Sequence, residues 1–198
     1  MDEILPGVWH WTARHPDIDQ TVSSYYLEDA QAVLDPLLPA GGLGDRPVER
    51  VILSCRLHGR DTADIVQTTG ATVHVPEAGL QHFADAPFDV TGYAPGDDLA
   101  PGVRAHEMAA ISPDDMALHI GAGPGALHFA DGLLVSDGEL SLMPDSLMDD
   151  PPVVRRTSLR RLDALLALDF DALTFAHSDP IVEGGRARLA EFVAGLRP

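Results

Sequence analysis

The sequence predicts an α/β fold in one domain spanning residues 1–198. An apolar run at 50–54, a stretch at 61–68 with helical spacing and a second apolar run at 71–75 follow one another. That strand-helix-strand order pairs strands in parallel. Ahead of it, residues 7–11, 21–27 and 31–35 alternate apolar and polar side chains between Gly, Pro and Asp breaks, as consecutive strands do. Near the C-terminus two amphipathic helices flank a strand at 172–176 that ends at His177.

Each element has a local reason. Pro36, Pro39 and the Gly41-Gly42 pair end the opening strand run. Residues 83–113 are rich in Pro, Gly and Asp and are expected to form loops with short strands. Residues 116–120, 126–129 and 133–136 read as another meander, broken at 121–125 and at Ala130-Asp131-Gly132. The glycine-rich 121–125 segment lies between two strands and has no following helix to supply N-terminal amides to a phosphate, so a hairpin turn is expected. Thr157 or Ser158 is expected to cap the first late helix, whose apolar face carries Leu159, Leu162, Leu165 and Leu166. Arg155, Arg156, Arg160 and Arg161 oppose the helix dipole near that start and call for partners among Asp145, Asp149 and Asp150. The last helix follows Gly184-Gly185 and is expected to bury Leu189, Phe192, Val193 and Leu196.

Composition narrows the function. There are 31 acidic against 13 basic residues, all of the latter arginine, for a formal net charge of −18. Such a field repels phosphate, so nucleic acid and anionic membrane are not expected partners and a small-molecule ligand or substrate is. No apolar stretch reaches the length of a membrane span and Met1-Asp2-Glu3 lacks a signal peptide's basic start, so a cytoplasmic location is expected. Cys55 is the only cysteine, which excludes an intrachain disulfide and a cysteine-built zinc site. Following Val51-Ile52-Leu53, it reads as a buried thiol at a strand end.

In order and in detail these segments resemble the metallo-β-lactamase superfamily, whose members include thioesterases, lactonases and lactamases. Ile4-Leu5-Pro6-Gly7-Val8-Trp9 is similar to that family's first strand, Val33-Leu34-Asp35 to its aspartate before a turn, and Val51-Ile52-Leu53-Ser54 to the strand entering its first metal motif. The resemblance implies a four-layer αββα sandwich of two mixed β-sheets flanked by helices. It further implies hydrolase-like chemistry at a two-metal centre, with Asp137, after Gly132-Leu133-Leu134-Val135, as the bridging aspartate and His177 as the last histidine.

The family's His-x-His-x-Asp-His motif is largely overwritten. The segment reads Ser54-Cys55-Arg56-Leu57-His58-Gly59-Arg60-Asp61. Placed on His58 as second histidine, it carries Arg56 at the first, Arg60 at the aspartate and Asp61 at the third. A later family histidine falls on Ile111 or, by a second alignment, on Ala122. A guanidinium about 4 Å from a divalent ion costs roughly 8 kcal/mol at an effective dielectric of about 20. Zinc binding with all ligands present is worth on the order of 10–16 kcal/mol in small peptides, so a two-metal centre is not expected.

Three functions stay open. The first, favoured by the missing imidazole, is a catalytically silent or ligand-binding relative with no metal, in which Arg60 or Arg56 neutralises Asp137 and Asp61. The second is a single-metal hydrolase of an ester, thioester or lactone, with His58, Asp61, Asp137 and His177 around one Zn, Fe or Mn ion. The third is a metal-free acid-base enzyme using His58 or His177 with a neighbouring aspartate. In the enzymatic readings the catalytic candidates are His58, Asp137 and His177.

Overall fold

A computed structural model of the chain describes residues 1–148 and 150–197. Seven strands form the first sheet: β1 (Asp2–Leu5), β2 (Val8–Arg14), β3 (Thr21–Leu27), β4 (Ala32–Leu34), β5 (Arg50–Ile52), β6 (Thr72–Pro76) and β7 (Val90–Tyr93), adjacent in that order. Strands β1 to β4 pair antiparallel and β4 to β7 parallel. Helix α1 (Thr62–Thr69) makes the crossover from β5 to β6, as the strand-helix-strand pattern requires.

The second sheet begins with β8 (Asp98–Ala100), β9 (Val103–Glu107), β10 (Met116–Ile120) and β11 (Ala126–Phe129). The chain then forms a separate hairpin, β12 (Leu134–Ser136) with β13 (Glu139–Ser141), and helix α2 (Pro151–Leu165). Strand β14 (Ala172–Phe175) returns to the second sheet and helix α3 (Gly185–Gly195) follows. The sheet order is β14-β11-β10-β9-β8, with β14 and β11 parallel.

Three apolar clusters stack these elements into four layers. Ile65 of α1 packs on Val33, Val51 and Val73 of the first sheet. Tyr25, Leu34 and Ile52 meet Leu118, Ala126 and Ala172 between the sheets. Leu127, Phe129 and Phe175 on the other face of the second sheet are covered by Leu162 of α2 and Leu189 and Val193 of α3. The αββα sandwich expected from the resemblance is the architecture observed.

Some local expectations change. Helix α2 begins at Pro151, not at Thr157: the Asp150 carboxylate accepts from the Val153 amide at 3.2 Å, and prolines fill the first positions, where no intrahelical donor is needed. Thr157 instead bonds back to the Val153 and Val154 carbonyls inside the helix. Arg155 pairs with Asp145 at 2.5 Å and Arg161 with Glu107 at 2.6 Å, while Asp149 lies outside the described residues. The 133–136 segment leaves the meander for its own hairpin. Phe192 and Leu196 are only partly buried.

One buried side chain bridges the two sheets directly. The hydroxyl of fully buried Tyr25 donates to the Phe175 carbonyl at 2.9 Å and accepts from the Phe175 amide at 3.1 Å, joining β3 to β14. Tyr25→Phe leaves that amide and carbonyl without their side-chain partner. It is expected to cost about 1–3 kcal/mol in urea unfolding at an unchanged slope. A loss below about 0.5 kcal/mol would mean that the junction does not depend on this hydroxyl.

Candidate metal centre

Strand register brings the polar groups together. Phe129 pairs with Phe175 in the parallel β11–β14 ladder, so Asp131 and His177, each two residues past its strand, leave the sheet side by side. In the first sheet Leu34 pairs with Ile52, which places Asp35 and Ser54 together beyond β4 and β5. A 3-10 turn at Arg56–His58 then returns His58 toward them. The carboxyl ends of parallel strands are where open α/β sheets collect their ligands.

His58, Asp131 and His177 converge tightly. The two Nε2 atoms are 3.2 Å apart, Asp131 Oδ1 lies 3.0 Å from His177 Nε2, and it lies 3.6 Å from His58 Nε2. Their side chains are 2%, 4% and 15% exposed for His58, Asp131 and His177, so solvent reaches the cluster chiefly past His177. Nδ1 of His177 is buried with no hydrogen-bond partner. The Cys55 thiol donates to Asp131 Oδ2 at 3.4 Å.

Behind this cluster sits Asp35, fully buried, with a left-handed backbone (φ 47°) that aspartate tolerates better than most residues. It accepts from the Ser54 amide at 2.8 Å, the Ser54 hydroxyl, His58 Nδ1 at 3.0 Å and His128 Nε2 at 3.0 Å. His128 Nδ1 in turn accepts from the Thr174 hydroxyl at 3.2 Å. Asp35 therefore fixes the His58 ring with Nε2 facing Asp131 and His177. A carboxylate holding the far nitrogen of an imidazole is the usual support of a metal-ligating histidine.

The electrostatics are those of a buried anionic cluster. Burial works to raise the Asp35 carboxyl, but the charge of His58 and hydrogen bonds from His128 and His58 outweigh it and hold Asp35 well below the usual range. Burial opposes ionisation of Asp131 too, and hydrogen bonds from His177 and His58 bring it down. His58 is lowered by burial and raised more strongly by Cys55, Asp35 and Asp131 around it, ending well above an ordinary histidine. Asp115 accepts from the Ala110 amide at 2.9 Å and the Asp131 amide at 3.4 Å; burial and the charge of Asp131 push it up to about 7.

His58 and His177 thus lie together, whereas other residues of the expected set do not join them. Asp137 is exposed on the β12–β13 turn with φ 52°, and Asp131 is the carboxylate against both histidines. Asp61 caps the Leu38 amide at 2.7 Å. Arg60 does not pair with either: it donates to the main-chain carbonyls of Ser23 (3.2 Å) and Asp35 (2.8 Å), and its buried Nη2 has no partner. Arg56 pairs with buried Asp114 through both its amide and its guanidinium. Sequence reasoning missed Asp131, which follows the strand 126–129. That run, fully buried, enters the centre directly, whereas 133–136 belongs to the outlying hairpin.

No family model and no curated relative matches the sequence. Solved structures do match in shape. A metallo-β-lactamase family protein from Thermus thermophilus is 18% identical, with a TM-score of 0.66 over 98% of this chain and 80% of its own. A HARLDQ-motif variant of the Cronobacter sakazakii metallo-β-lactamase is 17% identical, with a TM-score of 0.67 over 99% and 91%. The di-iron-bound form of TTHA1623 is 17% identical, with a TM-score of 0.65 over 90% and 98%. The chain has the metallo-β-lactamase fold. Within this metallo-β-lactamase fold, the strand ends that carry Asp35, His58, Asp131 and His177 gather at one edge between the sheets.

Asp35 is the group whose loss tests this arrangement. Asp35→Ala strands four donors in the interior and is expected to cost about 3–5 kcal/mol near neutral pH. Because the folded value of Asp35 is depressed, its stabilisation is present above the unfolded aspartate value and is lost as pH falls through the folded one. The cost should therefore shrink in acid. Urea unfolding of both proteins from pH 7 to pH 3 measures it, and a small, pH-independent cost would contradict the hub role.

Proposed function

We propose that this chain is a catalytically silent, hydrolase-like protein in which a two-metal centre has been reduced to a single Zn, Fe or Mn ion held by His58, Asp131 and His177. The triangle of donor atoms carries the reading. Its edges of 3.0, 3.2 and 3.6 Å match the edge of about 3.3 Å that a tetrahedral ion with ligands at about 2.0–2.1 Å requires. Two imidazoles and one carboxylate suit any of the three metals.

Charge balance is compatible with the same reading. Asp35, Asp114, Asp115 and Asp131 are all buried, against Arg56 and the largely buried Arg60 as fixed cations. Bound there, the ion would supply the positive charge that a protonated His58 otherwise brings, and tie the β5–α1 segment to the ends of β11 and β14. Arg60, anchored beside Asp35, brings a guanidinium charge that disfavours a second ion. Near-complete burial of the three donors supports silence, since a hydrolytic site keeps an open position that substrate can reach.

A second reading has its own observation. Asp35 and Asp131 flank the two nitrogens of His58, so an imidazolium could hold the cluster without metal. Metal analysis of protein purified without a polyhistidine tag separates the two. The one-metal reading expects about one equivalent of Zn, Fe or Mn, and loss on His177→Ala. It also expects a stability gain of about 2.7 kcal/mol at a metal concentration of 100 times Kd, abolished by chelator. Less than a tenth of an equivalent, with melting unchanged in chelator, would hand the site to the imidazolium. Two equivalents, or turnover of an ester, thioester or lactone above that of the free ion, would overturn the silent one-metal assignment.

A further inference from the structure

We infer that Cys55 is the fourth ligand of this centre, its thiolate completing the coordination shell and leaving no vertex for a substrate-activating water. The inference rests on the one-metal reading above. Cys55 stands immediately before the 3-10 turn that carries His58, with extended backbone (φ −156°, ψ 168°), and is completely buried. Sγ, a His58 ring nitrogen and an Asp131 carboxylate oxygen all lie within 4.8 Å of one another.

His58 and Asp131 are therefore shared by two donor groups, with Asp131 meeting His177 through Oδ1 and Cys55 through Oδ2. Zinc–sulfur bonds of about 2.3 Å place sulfur about 3.6 Å from nitrogen or oxygen donors on the same ion. The observed 3.4 Å from Sγ to Asp131 Oδ2 is close to that spacing, so one ion would take Oδ2 on the Cys55 side and Oδ1 on the histidine side of the same carboxylate. Sites closed by four protein donors hold structure, whereas hydrolytic ones keep a vertex free. A thiolate here would accordingly explain both the burial and the silence proposed for the centre.

Other roles for this thiol fit less well. As a nucleophile it would need access, and it has none. It cannot form an intrachain disulfide, being the only cysteine. Burial pushes it up to about 12, so without metal it remains S–H and spends its proton on Asp131. Ligation breaks that S–H bond, forms one metal–sulfur bond and releases one proton to solvent, with no change of oxidation state.

Cobalt(II) titrated into untagged, chelator-treated protein tests this directly. Ligand-field bands in the visible should saturate at one equivalent, accompanied by a near-ultraviolet thiolate-to-cobalt charge-transfer band. With one cysteine in the chain, that band can arise only from Cys55. Cys55→Ser should abolish it, keep the visible bands and weaken cobalt affinity at least tenfold. Visible bands without charge transfer in the unaltered protein would overturn Cys55 ligation and leave the one-metal reading standing. A near-ultraviolet band that persists in Cys55→Ser would also overturn it. No cobalt bands at all would overturn both, and because the unaltered protein gives the deciding spectrum, misfolding of the variant cannot hide the answer.

Discussion

A single buried carboxylate, Asp35, organises the edge of this fold. A charge removed from water must be met by donors on every side, and Asp35 draws them from the Ser54 main chain and hydroxyl, the His58 ring and the His128 ring. Those groups sit on different sheets, so satisfying one anion locks the mutual position of both. The left-handed backbone at Asp35 belongs to the same constraint, since it turns the chain out of β4 just where the side chain must point inward.

Parallel pairing does the rest. Antiparallel neighbours put consecutive strand ends on opposite edges, whereas β4 with β5 and β11 with β14 deliver their C-terminal ends to one edge. Four segments far apart in sequence are thus brought within hydrogen-bonding distance. Tyr25 completes the junction by satisfying main-chain groups of Phe175 just before His177. The packing of two sheets and the assembly of the polar cluster are therefore one event.

The arginines have a different part from the one their sequence positions suggest. Arg56 neutralises Asp114 beside the centre, and Arg60 donates to the main-chain carbonyls of Ser23 in β3 and Asp35 just after β4. Neither reaches Asp131 in a hydrogen bond or ion pair among the described residues. The cation that answers Asp131 must come from the histidines or from an ion they hold, and this distinguishes the proposed centre from a simple exchange of metal for arginine.

By itself the sequence determined the α/β class and most strand positions, because hydrophobic period and turn residues act locally, whereas the layers and the convergence of His58 with His177 were implied only by the family resemblance. It also marked Cys55 as buried from the apolar run before it. It could not select Asp131 over Asp137: each follows an apolar run, and only sheet pairing shows that 126–129 lies beside β14 while 133–136 folds outward as a hairpin. Nor could it tell that Asp61 would turn to the Leu38 amide, or that His128, on a buried strand, would meet Asp35 from the other sheet. Those choices were made by strand register and by the need to satisfy buried charge, both of which exist only once distant segments are packed together.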